Sequence, residues 1–395
     1  MRKTRSTPWF GAPRFWTWWT LGLFACDGGP RSEVIEGPVV IHEVAELARL
    51  DGVQRVTGKL TLEGSELKGK LELPELEQVG LLSVTDTQLS GLALGSLKQA
   101  DDIRIEDNAS LSELALPALE EVTASLVVGS QPKLKSLSLP KLLWARTVDV
   151  CGALASLSAD ELRRASVLYC ESRDSALEEL VLPKLEHVDS LFLHELAGTR
   201  LSLPALTTVT GKAFIGGEHL EVVDLPKLRF LSELASFPPI AVEAWDFPAL
   251  EVAGKIDFHT YGTLRVRFDR LRQVSDLWLS AGEDVAEASH VSAPRLERAG
   301  RISLWEPFQT VSFPRLQDVG SLRAPLTGRL EVDQLEEAGQ LTLLLSDSVD
   351  IYAGALRAAG SIQLYGGDLP CDAAPLFPAL KDVDRVLETH SEGCP

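Results

Sequence analysis

Tyr169, Phe192, Phe214 and Trp278 recur at multiples of roughly 22 residues, and Trp305 follows one place further on in the same frame. A repeat of that length can set them above one another as a stripe. An exposed aromatic stripe on a rigid surface binds sugar rings or a partner protein. His194 and His259 share Trp305's place in the frame. Asp224, Asp246 and Asp257 form a second set, because neighbouring carboxylates can act as acid and base on a glycoside or hold Ca²⁺. In a chain with 57 acidic residues such neighbours also arise by chance. "DDIRIEDN" (Asp101–Asn108) has the look of a calcium loop, but its Ile103 and Ile105 must face a core. "NAS" at Asn108 is a glycosylation sequon by its text. The chain has no CxxC pair, zinc-spaced Cys/His cluster, nucleophile elbow, P-loop, HExxH or dinucleotide fingerprint. No metal and no cofactor is expected, and the chain reads as non-enzymatic.

The elements that must position these residues are repeats. "LPKL" occurs at Leu139–Leu142, Leu182–Leu185 and Leu225–Leu228, with both gaps 43 residues. Around each proline the pattern is apolar–x–apolar–Pro–x–Leu–x–x–Val/Ala, a gap, then apolar–x–apolar. Pro74, Pro117, Pro140, Pro183, Pro204, Pro226, Pro248, Pro294, Pro314 and Pro378 anchor ten units. Asp51, Gly95, Asp160, Asp269, Asp333 and Gly354 hold the same place in six more. The period-2 alternation on either side of the anchor predicts two short strands, joined at a corner where Leu142 and Ala145 point inward. Pro closes the first strand because it lacks the ladder N–H. No unit buries its apolar side alone, so neighbours must stack. The expectation is an all-β fold, a right-handed β-solenoid of about sixteen coils of roughly 22 residues. The outward column of the second strands then includes Asp149, Tyr169, Phe192, Phe214, Ala235, Asp257, Trp278, Ser303 and Arg323. Trp245 falls at an inward position. Cys151 and Cys170 sit at nearly the same place in adjacent coils, which suits a rung-to-rung disulfide. Cys371 with Cys394 would staple the C-terminal end. The alternative is buried free thiols.

The N-terminus resembles a bacterial lipoprotein signal. Residues 1–25 carry a basic start and the apolar run "FWTWWTLGLFA", and "LFAC" places Cys26 where a lipobox places its lipidated cysteine. An ordinary secretory signal, or a short membrane anchor, with an incidental cysteine is the alternative. The resemblance implies a tether over 26–37, attachment to a membrane through the N-terminal lipid, and a place in the bacterial cell envelope, whether outer membrane, cell surface or periplasmic face. Losing Arg2, Lys3, Arg5 and Arg14 takes the net charge from −19 to −23. Such an acidic body is not expected to bind nucleic acid.

The recurring text "LPALEEVTASLVV" (Leu116–Val128) and "LPELEQVGLLSV" (Leu73–Val84) resembles the receptor L-domain family, whose coils are leucine-rich-repeat-like. That resemblance implies the solenoid over 38–395 with terminal caps, as one long array or two modules fused end to end. It implies no activity. The ordinary leucine-rich repeat is the nearby alternative, but it keeps an asparagine at one turn, and this chain has one asparagine, which argues for a different corner. The expected function is a lipid-anchored envelope protein whose solenoid binds a protein or glycan. A purely structural spacer, or a polysaccharide-acting β-helix, is the alternative.

Overall fold

The structure is a computed structural model that describes residues 33–390, apart from 130, 151–153, 172–176, 178, 195, 218, 241, 243, 261, 283–288, 347–348 and 367–373. Its β-strands all pair in parallel, and among the described residues helix is confined to short 3-10 turns such as Val44–Leu50 and Ala374–Leu376. Residues 32–395 cluster as one compact unit.

Two parallel ladders run through that unit. The long ladder begins at Val53–Glu63 and passes through Gln78–Thr85, Gln99–Glu106 and each later coil to Ala358–Tyr365 and Asp382–His390. One strand of this ladder follows each of the sixteen anchors. The step between coils ranges from 19 residues at Leu322→Leu341 to 25 at Leu277→Ile302. The short ladder carries the three- to six-residue strands that precede the anchors, but 3-10 turns stand in that place before Asp51 and Pro378, so about 14 turns have both ladders against the sixteen coils expected. The fold is the expected β-solenoid.

Each turn has a stated physical cause. The residue before the anchor accepts a hydrogen bond from the leucine two places after it, as in Leu142 N–H to Leu139 O at 3.2 Å and Leu185 N–H to Leu182 O at 3.4 Å. The anchor is therefore position i+1 of a β-turn, where proline's fixed φ costs nothing. The proline also stands where the short ladder stops, so its missing N–H goes unused. In the coil of Pro183, Leu180, Leu182, Leu185, Val188, Leu191 and Leu193 are all inward, none more than 2% exposed.

The second strand is longer than the spacing suggests. It runs through the corner as one bent element, eight residues in His187–His194. The bend comes between the inward residues Val188 and Leu191, where two consecutive side chains face out and several ladders slip register. Glycine recurs there because coils nest closely. A Cβ on Gly339 would lie 2.3 Å from the carbonyl oxygen of Gly320, and one on Gly320 would lie 2.4 Å from that of Gly300.

Both ends of the stack extend it. Glu33–Ile35, inside the segment read as tether, and Val39–Ile41 both pair with Val53–Glu63. Asp382–His390, where the repeat text fades, still pairs with Ala358–Tyr365. A backbone ladder continues without the side-chain pattern that reveals it in sequence. The short ladder, by contrast, is divided. It breaks between Ser156–Ser158 and Glu179–Val181, and again between Val222–Asp224 and Ala244–Asp246.

Two buried features stand out in the core. Trp245 is inward as expected, 2% exposed, with its ring 4.3 Å from Phe258 and 6.0 Å from Phe247. Asn108 is fully buried. Its Oδ1 accepts from Thr87 N–H at 3.0 Å and Thr87 Oγ1–H at 2.7 Å, and its Nδ2 donates to Val84 O and Glu106 O. Gln131 repeats the arrangement one coil on, donating to Ile105 O and Gly129 O. The single asparagine is thus a corner brace, and neither a glycan acceptor nor part of a calcium loop.

Candidate binding face

The outward column of the long ladder is in the expected register throughout. Asp149 pairs with Tyr169, Tyr169 with Phe192, and Phe192 with Phe214. Phe214 pairs with Ala235, Ala235 with Asp257, Asp257 with Trp278, and Trp278 with Ser303. Strand periodicity makes this possible, since a slip of one residue would have turned every ring inward. Trp305 falls two places after Ser303, one coil beyond Trp278, with its backbone N–H on Leu279 O at 3.0 Å.

The rings divide into two groups with different surroundings. Tyr169, Phe192 and Phe214 are half-buried and contact one another. Their centroids lie 6.2 Å apart for Tyr169–Phe192 and 5.6 Å for Phe192–Phe214, the latter pair near parallel at 20°. His194 stacks on Phe214 at 5.8 Å. Phe192 and Phe214 thus turn a face to each other along the stack, while Tyr169 meets Phe192 at a tilt of 54°. Ala235 and Asp257 then interrupt the aromatic column. Asp257 is held by Lys255 Nζ at 2.9 Å and His259 Nε2 at 2.8 Å. Its carboxylate, hydrogen-bonded to the ammonium, holds Lys255 above the ordinary lysine range.

Trp278 and Trp305 form the second group, centroids 6.5 Å apart and tilted by 47°. Trp278 is half-buried between cations, Lys255 at 5.6 Å and Arg301 at 5.8 Å from its ring. Trp305 is 47% exposed, and the Arg323 guanidinium lies 5.0 Å from its ring. Beside them an open groove of about 570 Å³ runs up the face, lined by Trp278, Arg301, Ser303, Ser321, Arg323, Gln340, Thr342, Leu344, Gln363 and Tyr365. Among the described residues no carboxylate lines it. The column reading found Trp278, Trp305 and Arg323 but missed Arg301 and Lys255. Their signal was the place two residues before a column member, which carries Lys212, Lys255 and Arg301 in three of the coils.

The acid–base reading of Asp224 and Asp246 finds no support in pairing, because the short ladder breaks between them. Asp224 accepts from Ser202 Oγ–H at 3.1 Å, and Asp246 stands beside Arg267 in the next coil. Among the described residues no group of three or more His, Cys, Asp or Glu could hold a metal ion, and no helix is long and apolar enough to cross a membrane. Cys170 is buried in the core. Cys26, Cys151, Cys371 and Cys394 lie outside the described residues, as does the whole N-terminal signal.

A scan against protein-family models found no match, and no curated protein or solved structure matched the chain.

Proposed function

We propose that this chain is a non-enzymatic, lipid-anchored protein of the bacterial cell envelope whose solenoid binds a glycan through the outward face of the long ladder. One observation carries the reading. Trp305 stands exposed against Trp278 and Arg323, which line an open groove together with Tyr365, Leu344 and side chains bearing hydroxyls, amides and a second guanidinium. An apolar ring beside many hydrogen-bonding groups suits a saccharide, whose C–H faces pack on aromatics while its hydroxyls need donors and acceptors.

The attachment and family readings rest on the sequence. Lipid on Cys26 would hold the chain at the membrane after loss of residues 1–25. Disulfides Cys151–Cys170 and Cys371–Cys394 would staple the coils. Kinship with receptor L-domains rests on the "LPxLxxV" text. The buried amides of Asn108 and Gln131 add to it, because they brace corners as a leucine-rich-repeat asparagine would.

A structural spacer is the second reading, favoured by the ring-on-ring packing of Tyr169, Phe192 and Phe214. A glycan array and an envelope pull-down with detergent-solubilised full chain separate the two. Saturable glycan capture that is lost in Trp305→Ala supports the binding reading. Capture of nothing by wild type leaves the spacer, and capture of a protein alone replaces the glycan.

A further inference from the structure

We infer that the groove beside Trp278 and Trp305 selects an acidic saccharide, one carrying carboxylates on its sugar rings. This deepens the proposed glycan reading and rests on it. The argument is one of charge complementarity. The chain as a whole carries 57 acidic residues against 38 basic ones. Yet among the described residues the lining of this groove holds two guanidiniums, Arg301 and Arg323, and no carboxylate.

Neither guanidinium is tightly held by an acid. Arg301 Nε is 4.0 Å from Asp276 Oδ1, the outer edge of an ion pair. Arg323 makes no ion pair among the described residues and lies instead over Trp305. The nearby Glu306 carboxylate is occupied by Ser280 Oγ–H at 2.7 Å. Some arginines just before the long strands are closed by carboxylates, as in Arg229 with Glu251 at 2.9 Å and Arg163 with Glu186 at 3.1 Å.

The two arginines occupy adjacent coils and adjacent columns, since Arg301 pairs with Ser321 and Ser303 with Arg323. A planar fork that binds a carboxylate by two parallel N–H bonds is what guanidinium offers and ammonium does not. From Trp278 to Gln363 the groove climbs four coils, about 19 Å at a rung spacing near 4.8 Å. That length suits a short oligosaccharide lying along the stack. Its sugar faces meet Trp305, its carboxylates meet the arginines, and its hydroxyls meet Ser303, Thr342 and Gln363. The net negative charge of the body disfavours a polyanion over the surface as a whole, so binding depends on this groove.

The test is calorimetric titration of detergent-solubilised full chain with a polyuronate oligosaccharide, a neutral glucan oligosaccharide of equal length, and inorganic phosphate. The expected result is that the polyuronate binds at least tenfold more tightly than the glucan. Arg323→Gln and Arg301→Gln should each weaken it at least tenfold, and Arg323→Lys should recover only part of the loss. Arg298→Gln is the control for surface charge. It faces outward on the same strand and pairs with Asp318 at 3.5 Å, outside the groove, and should leave binding unchanged. Equal affinity for glucan and polyuronate, with no effect of the arginine variants, would overturn the acidic selectivity while leaving the glycan reading standing. Binding of phosphate as tight as the polyuronate would reduce the site to an anion hole and overturn the saccharide. Binding of none of the three would overturn the inference, and the glycan array then decides the broader reading by itself.

Discussion

Asn108 shows how much one side chain can decide in a stacked coil. Its four hydrogen bonds are made without contact with water, and each partner belongs to the corner of its own coil or the one before. Asn108→Ala leaves two carbonyls and the Thr87 N–H without partners, at about 1–3 kcal/mol for each buried unsatisfied group. We expect urea unfolding to report a loss of about 3–5 kcal/mol, with Asn108→Asp no better because it donates nothing to the carbonyls. His290 gives a pH signature. Burial, with Arg265 facing it from the preceding coil, holds its imidazole below the ordinary histidine range, and Thr310 covers it from the next coil. The folded state therefore favours neutral His290, and acid favours the unfolded chain. Stability from this group is present above the ordinary histidine pKa and falls as pH drops through it. Unfolding midpoints compared at pH 8 and pH 5 should show a smaller drop in His290→Gln than in wild type. An equal drop would mean that the imidazole is solvated in the folded state.

The turn and the bend make opposite predictions at the scale of the element. The anchor position accepts Pro, Asp or Gly in different coils, so its proline supplies rigidity and little else. Pro183→Ala should cost no more than about 1 kcal/mol, mostly through a freer unfolded chain. The bend position allows no such exchange. Gly339→Ala puts a methyl 2.3 Å from a backbone oxygen of the coil below, and that coil can move only with its neighbours. We expect a loss of at least about 2 kcal/mol by denaturant titration; a loss as small as that of Pro183→Ala would mean that adjacent coils slide freely. Legibility follows the same division. The anchors, the inward leucines and the aromatic column were readable because strand period and coil period coincide, leaving Leu191 and Phe192 one inward and one outward in every count. The bend was not readable as a continuous strand, because two outward residues in succession look like a corner. Arg323 is legible in the outward column, but Arg301 belongs to a different column, and only the closed register shows the two as neighbours.

Stacking of identical units sets the behaviour of the whole solenoid. Each coil buries its leucines only against the coils above and below, so stability is a sum over interfaces and truncation removes it in steps. The long ladder is unbroken while the short ladder divides twice, so the outward face of the long strands is the continuous surface available to an extended ligand. Cys26→Ala is expected to abolish lipidation, to release the chain from the membrane fraction and to remove the mass added by acyl chains at the N-terminus; a membrane-bound variant of unmodified mass would point to an uncleaved signal anchor instead. The most direct test of the proposed function is a crystal structure of the chain grown with a polyuronate oligosaccharide. It should show sugar rings along the long-ladder face, one packed on Trp305 and a carboxylate on Arg323. An empty groove at saturating oligosaccharide, or sugar bound against the short ladder, would contradict it.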